Sequence, residues 1–377
     1  MAYNGRIVRI DRVELRRIEM PLVSPFETSF GREVDRQAIL TTVYADGVAG
    51  WGECVASATP GYSYETVRTA WHVLRDFLIP DLLNEEAVDH PTDCPARWAT
   101  VRGHPMAKAS LEAALWDLHG RLNGTSLRDA LGGEKRTIPS GISLGIQGSV
   151  EGLIERIEEA LESGYQRIKL KIKPGWDLEM LGSVRDRFPD SPLMVDANAA
   201  YTPADAPMLT SLDAFGLMMI EQPYAEDDLV NHARLQRNME TPICLDEGVT
   251  SVHDAEQALE LGSCRIVNIK PGRVGGLTNA RRIHDLCRDH QVPVWCGGML
   301  ETGVGRAHNV ALASLSGFRL PNDLSASGRY YHRDLIDPPF GLNPEGTLTV
   351  PDGPGIGVDV DGDRVDAVTR ERTVLPL

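Results

Sequence analysis

Five ionisable residues in this chain recur at a nearly constant interval, and each closes a short apolar run. Lys171 ends Ile-Lys-Leu-Lys, Asp196 ends Leu-Met-Val-Asp, Glu221 ends Leu-Met-Met-Ile-Glu, Asp246 ends Ile-Cys-Leu-Asp and Lys270 ends Ile-Val-Asn-Ile-Lys. The separations are 25, 25, 25 and 24 residues. A strand, a loop, a helix and a return loop need about that length, so the spacing predicts a repeated βα unit with its charge at one phase. Strands of a parallel sheet covered by helices are buried on both faces, and a charge inside them is costly unless paired or metal-bound. At the carboxyl end of a barrel strand the same side chain points into the mouth, where such barrels hold their chemistry. Ordinary solvated loop charges would show no such interval.

Three carboxylates at neighbouring strand ends, Asp196, Glu221 and Asp246, require a cation if all are to stay ionised. Oxygen ligands without His or Cys favour magnesium, with manganese as a possible substitute. Lysines flank the group on both sides: Lys169 and Lys171, two apart and on one face of their strand, and Lys270 one unit beyond Asp246. A lysine in a pocket near other cations has a lowered pKa and serves as a base near neutral pH. Two such lysines across a metal-bound anion point to removal of the proton α to a carboxylate. Lys169 is expected to lower the pKa of Lys171 and to bind the substrate carboxylate.

The elements that must position these groups read as two lobes and a tail. At 377 residues the chain exceeds one average domain. Apolar alternation from Val13 to Leu22, then Ala38–Tyr44 meeting Val48–Trp51 across Asp46-Gly47, predicts an antiparallel meander. Between these strands Ser24–Val34, with Phe26 and Phe30, reads as a connector or lid. Helical periods follow at Tyr64–Leu78, stopped by Pro80, and at Ala107–Leu122, ended by Gly124 and assigned to core packing. From Ile138 the grammar becomes strand then helix. Candidate barrel strands are Gly141–Gly145, Arg167–Lys171, Leu193–Asp196, Leu217–Glu221, Ile243–Asp246, Ile266–Lys270, Pro293–Gly297 and a weaker one near Phe318–Asn322. Helical periods between them cover Val150–Ser163, Ala204–Leu212, Asp254–Leu261 and Ala280–His290. The expected fold is α/β, a TIM-type barrel of (β/α)7β form over residues 136–336, with an α+β cap from residues 1–135. A tail, 337–377, is expected to return to the cap.

A formal charge of −16 argues against nucleic acid or an anionic membrane as partner and leaves a small carboxylate. No apolar run approaches a membrane span, and the opening residues lack a signal peptide's apolar core. Six scattered cysteines read as buried free thiols. These features lead us to expect a cytoplasmic enzyme, assembled as a homo-oligomer.

Over nearly its whole length the chain resembles the muconate-lactonizing subgroup of the enolase superfamily. The matching motifs are Lys-Leu-Lys (169–171), Asp-Ala-Asn (196–198), Glu-Gln-Pro (221–223), Asp-Glu (246–247) and Asn-Ile-Lys-Pro-Gly-Arg-Val-Gly-Gly (268–276), together with 106–118 and 295–306. The stretches 168–177, 242–247 and 297–303 are most similar to the branch of o-succinylbenzoate synthases that includes N-acylamino acid (N-succinylamino acid) racemases. That resemblance implies acid/base roles for Lys171 and Lys270, and magnesium binding by Asp196, Glu221 and Asp246. It implies a dehydration in menaquinone biosynthesis, racemisation of N-succinylamino acids, or both. Ala199 and Ala200 depart from the pattern after Asn198. Residues expected to touch substrate, or to back the groups that do, are Lys169, Asn198, Ser143, Asn268, Arg273, Gly298, Met299, Glu301, Phe26, Phe30 and Tyr62. Arg273 is expected either to tune Lys270 or to anchor the loop behind it, with anchoring favoured. The mandelate-racemase branch uses a His base, which Pro293–Gly297 lacks, with His308 well beyond. Dipeptide epimerases carry an acidic Asp-x-Asp at the eighth-strand region, read here as Gly297-Gly298-Met299, which lacks it. Muconate-type cycloisomerisation and dipeptide epimerisation remain alternatives, and a catalytically silent binding barrel is the reading from a different class.

Overall fold

The computed structural model describes residues 9–29, 31–84 and 89–377. Three antiparallel strands open the chain: β1 (Arg12–Thr28), β2 (Gly31–Ala45) and β3 (Val48–Cys54). A later strand, Thr369–Pro376, pairs antiparallel with β1 and completes a four-stranded sheet. The helix Pro105–Asn123 packs across β3, where Gly50 and Gly52 let the backbones meet. A Cβ on either would lie 2.3 Å from the Ala114 carbonyl oxygen or 2.1 Å from that of Ser110. This is why that helix is rich in small residues.

Seven parallel strands form the second lobe, in spatial order matching chain order: Ile142–Leu144, Ile168–Lys171, Leu193–Asp196, Ile220–Glu221, Ile243–Leu245, Ile266–Ile269 and Val294–Cys296. Helices including Val150–Glu162, Leu178–Arg187, Leu229–Gln236, Val252–Leu261, Leu277–Asp289 and Gly303–Ala313 alternate with them. The fold is thus the expected α/β barrel with a separate antiparallel cap. The eighth position is not a regular strand. The segment from Phe318 to Asp323 closes the curl through isolated bridges, Val294 with Phe318 and Ser140 with Asn322. The Asn322 side chain helps, its Oδ1 accepting from Cys296 N at 2.8 Å. Inside the curl, Met194, Met219, Cys244, Ile266 and Trp295 plug the barrel below its mouth.

Two expectations for the first lobe are corrected. Ser24–Val34 is not a free connector, since β1 runs to Thr28 and β2 starts at Gly31, pairing Phe26 with Glu33 and Thr28 with Gly31 after a register shift beyond Pro21. The polar composition that suggested a loop reflects a hairpin arm projecting beyond the sheet, where only Phe26 packs against a core and the rest is half-buried or exposed. Phe30 lies outside the described residues. Pro80 does not stop its helix: the turn Leu74–Leu78 widens to π geometry and the helix resumes over Ile79–Asn84. Pro80 then sits at the start of a new turn, where its missing N–H is not needed.

The lobes are joined by buried carboxylates seated on helix N-termini. Glu112, in a helix assigned only to packing, accepts from Leu277 N at 2.7 Å, Thr278 N at 2.9 Å and Trp116 Nε1 at 2.9 Å. Gly276 is required beneath it, because a Cβ there would come within 2.4 Å of Glu112 Oε2. Glu53, on β3, accepts from Thr302 N at 3.1 Å and Gly305 N at 2.9 Å at the start of Gly303–Ala313. Both pair an anion with the positive end of a helix. Replacing Glu112 by Ala strands these buried donors, and we expect a loss of about 3 kcal/mol in denaturant-determined stability. Activity per folded molecule should be kept, and an unchanged denaturation midpoint would contradict this role.

Candidate active site

The parallel register brings the repeated charges to one rim. Lys171 stands opposite Asp196 across the second and third strands, and Asp196 opposite Glu221 across the third and fourth. Asp246 and Lys270 each follow one residue beyond the fifth and sixth strands. All five are buried. Lys171 Nζ is 2.6 Å from Asp196 Oδ2 and donates to Asn198 Oδ1 at 2.7 Å. Lys270 Nζ is 2.6 Å from Asp246 Oδ2. Lys169 Nζ reaches Glu221 at 3.1 Å, Asp196 at 3.3 Å and Asp323 at 2.5 Å, with the Trp295 ring 5.0 Å away. The two outer lysines therefore stand on either side of the carboxylate group, and Lys169 lies between that group and the eighth position.

Electrostatics follow from these contacts. Burial drives Asp196 up, but Lys171 and Lys169 beside it pull harder and hold it well below the usual carboxylate range. Burial lifts Glu247 to about 7, helped by the Asp196 charge. Lys169 is lowered chiefly by burial, against the pull of Glu221 and Asp196. Lys270 departs from the expected depression. Burial pulls it down, but Tyr62, Glu221 and Glu247 outweigh this and leave it above the ordinary lysine value. Neighbouring cations would depress Lys270, whereas Asp246 lies 2.6 Å from its head and the Glu221 and Glu247 charges act on it as well.

Asp196, Glu221 and Asp246 offer only oxygen donors, the chemistry of a hard divalent cation. Glu247 Oε2, one residue beyond Asp246, is buried with no hydrogen-bond partner. In donor type and charge these residues fit such an ion. Among the described residues no three acidic or imidazole groups stand together in coordinating geometry, because lysine heads lie between the carboxylates. Binding therefore implies exchange of lysine contacts for metal contacts.

The remaining expected residues divide clearly. Phe26, Tyr62, Ser143, Lys169, Asn198, Gly298 and Met299 line the cavity beside Lys171 and Lys270. Ser143 Oγ is buried without a partner. Asn268 stands behind the site, donating from Nδ2 to Glu221 Oε1 at 2.7 Å. Glu301 does not line the cavity: it accepts from Met299 N and Asn309 Nδ2, each at 2.8 Å, and so shapes the loop that carries Met299. Arg273 both anchors and touches. It donates from Nε to Val249 O at 2.8 Å and forms an ion pair with Asp246. His308 is buried against the carbonyls of Val304 and Ala113, away from the rim chemistry.

Sequence reasoning put the eighth strand near Phe318–Asn322, where the curl does close, but missed Asp323 beside it and sought the eighth-strand acids at Gly297–Met299. Gly297–Met299 follow the seventh strand, and their glycines serve clearance, since a Cβ on Gly297 would lie 2.5 Å from Lys270 Cε and one on Gly298 2.5 Å from the Asp323 carbonyl. The eighth position carries Asp323, which pairs with Arg167 and Lys169. Its only sequence signal was its place about two repeat intervals past Lys270, with no continuous apolar run before it. Among the described cavity residues the acids are Glu33 and Asp323, and Glu33 is held by Arg36 at 3.3 Å. Neither carboxylate is left over for a substrate ammonium.

Residues 152–364 match the family described as enolase C-terminal domain-like, and residues 12–132 match the mandelate racemase / muconate lactonizing enzyme N-terminal domain. The chain is 55% identical over 364 residues to an o-succinylbenzoate synthase of Geobacillus kaustophilus, covering 96% of each chain. It is 50% identical over 363 residues to an N-succinylamino acid racemase of an Amycolatopsis species, covering 96% of this chain and 98% of the relative. A solved structure of an enolase-superfamily member from Listeria innocua superposes with a TM-score of 0.94 at 39% identity, covering 98% of this chain and 99% of that one.

Proposed function

Because the chain belongs to the enolase superfamily, with both mandelate racemase / muconate lactonizing enzyme domains, we propose that it is an o-succinylbenzoate synthase that also racemises N-succinylamino acids. The observation that carries this reading is the pair of lysines on opposite sides of three buried carboxylates. Members of this superfamily typically depend on a divalent metal, and we assign magnesium to Asp196, Glu221 and Asp246. When bound, the ion supplies electrostatic stabilisation to the substrate carboxylate as the α-proton leaves.

Lys171 and Lys270 remove or return that proton from opposite faces. Racemisation uses both lysines, one as base and the other as acid. Dehydration needs one lysine to take the proton and an acid to assist loss of the hydroxyl. Lys169, clamped by Asp323, holds a fixed positive charge toward the substrate carboxylate. Ser143 Oγ, buried and unpartnered, is the hydroxyl free to bond substrate. The cap supplies Phe26 and Tyr62, and with Met299, Leu300 and Tyr330 they cover the remote part of the molecule. A succinyl or aromatic tail fits this lining better than a free amine, because the acids there are already paired.

The test is a side-by-side assay of the purified, magnesium-loaded protein on the cyclohexadiene precursor of o-succinylbenzoate, N-succinylamino acids, cis,cis-muconate and dipeptides. Turnover of the first two with at least about 100-fold preference over dipeptides is expected, as a buried amine without a partner is strongly disfavoured. Turnover confined to muconate or dipeptides would overturn the substrate assignment. No helix among the described residues is long and apolar enough to cross a membrane.

A further inference from the structure

We propose that Arg167 is a positioning residue: from beneath the mouth it fixes Asp323 as the acceptor that receives Lys169 when Glu221 and Asp196 turn to a metal ion. This rests on the magnesium reading above. Arg167, Lys169 and Lys171 stand two residues apart in turn, so all three share the strand face that points into the barrel. Arg167 is the deepest of them and is fully buried. Its guanidinium lies over the Trp295 ring, 4.5 Å from the ring centre, and forms an ion pair with Asp323. Gly141 clears the space for it, since a Cβ there would lie 2.7 Å from Arg167 Nε. Nε and Nη1 are buried with no hydrogen-bond partner. A buried cation so incompletely satisfied adds little to stability, and an apolar side chain would fill the same space without stranding donors. Its presence points instead to the site above it.

Lys169 Nζ has three acids within reach: Asp323 at 2.5 Å, Glu221 at 3.1 Å and Asp196 at 3.3 Å. Two of them are assigned to the metal, and Asp323 is the one that remains for the lysine once they are engaged. Asp323 must then keep its place. Its oxygens are divided, Oδ1 to Arg167 and Oδ2 to Lys169, and its backbone N donates to Cys296 O at 2.9 Å. Without Arg167 the carboxylate is free to turn, and Lys169 falls back on Glu221 and Asp196 as a competing cation. Charge alone predicts the reverse. Removing a buried cation near three metal-binding carboxylates would tighten metal binding through space, whereas removing a positioning residue weakens it.

The experiment measures magnesium binding to the metal-free protein by calorimetry in wild type, Arg167→Met, Arg167→Lys, Asp323→Asn and the double variant Arg167→Met/Asp323→Asn. Arg167→Met should raise Kd about 10-fold and Asp323→Asn at least as much, the range for losing a residue that orients a metal site from outside. The double variant should lie within about 2-fold of Asp323→Asn, because Arg167 acts through that carboxylate. Arg167→Lys keeps the charge without the planar fork and should raise Kd about 3-fold, which decides the matter if Arg167→Met does not fold. A Kd unchanged or lowered in the folded Arg167 variants or in Asp323→Asn, or losses that multiply in the double variant, overturns the role of Arg167. If wild type binds no magnesium, the metal assignment itself fails and this inference falls with it.

Discussion

Replacing Glu221 by Gln is expected to leave a folded protein with turnover lowered by at least about 1000-fold, on the scale of losing a group that stabilises transition-state charge. Glu221 is fully buried and accepts from two donors, Lys169 Nζ at 3.1 Å and Asn268 Nδ2 at 2.7 Å. A glutamine keeps the shape but can accept through one terminal atom only. Asn268 Oδ1 is buried without a partner, so rotation of that amide offers an acceptor to the new N–H and spares the fold. What is lost is one of the three negative charges proposed to hold the metal. Thermal unfolding with and without magnesium should show a ligand-induced rise in Tm for wild type and little or none for the variant. Wild-type turnover in the variant, independent of added metal, would sink the ligand assignment.

The lysine variants should fail in a more selective manner. Lys171→Ala and Lys270→Ala are each expected to lose racemisation by at least about 1000-fold, within the range for removing a positioned acid or base. Each should still exchange the α-proton of one enantiomer, and the two variants should retain opposite ones. The expectation follows from their placement on either side of the carboxylates, at the ends of the second and sixth strands. Exchange of both enantiomers by both variants at wild-type rates would end the two-base scheme.

Most of the rim was legible because strand phase and repeat length are both fixed by backbone geometry. Once Lys171, Asp196, Glu221, Asp246 and Lys270 share a spacing and end apolar runs, parallel pairing must gather them. The surroundings of the Lys270 head were not legible, because the groups that face it, Asp246 and Tyr62, are brought there only in three dimensions. Asp323 escaped for a related reason: its segment is held by two bridges and an asparagine side chain, so it carries no apolar strand pattern. The hairpin at Ser24–Val34 was misread because the arm is at most half-buried, which leaves little apolar alternation to read. Glu112 was overlooked because its helix read as core packing, and its two acids, Glu112 and Asp117, carry no spacing signal. Its partners lie more than 160 residues away, at Leu277 and Thr278.

The pairing of β1 with Thr369–Pro376 bears on how this protein is made. Arg17 and its partner Glu371 are 354 residues apart in sequence. At a synthesis rate of about 5–20 residues per second, the outer edge of β1 is complete for roughly 20 to 70 seconds before the strand that covers it exists. During that interval a nascent chain presents an open sheet edge, the feature that invites pairing with other chains. The charges along β1 at Glu14, Arg16 and Arg17 stand where such unwanted pairing would start, and in the finished sheet Glu14 and Arg17 pair with Arg372 and Glu371. The yield of soluble protein from a cell should therefore depend on translation speed and on chaperone supply more than the stability of the finished fold would suggest.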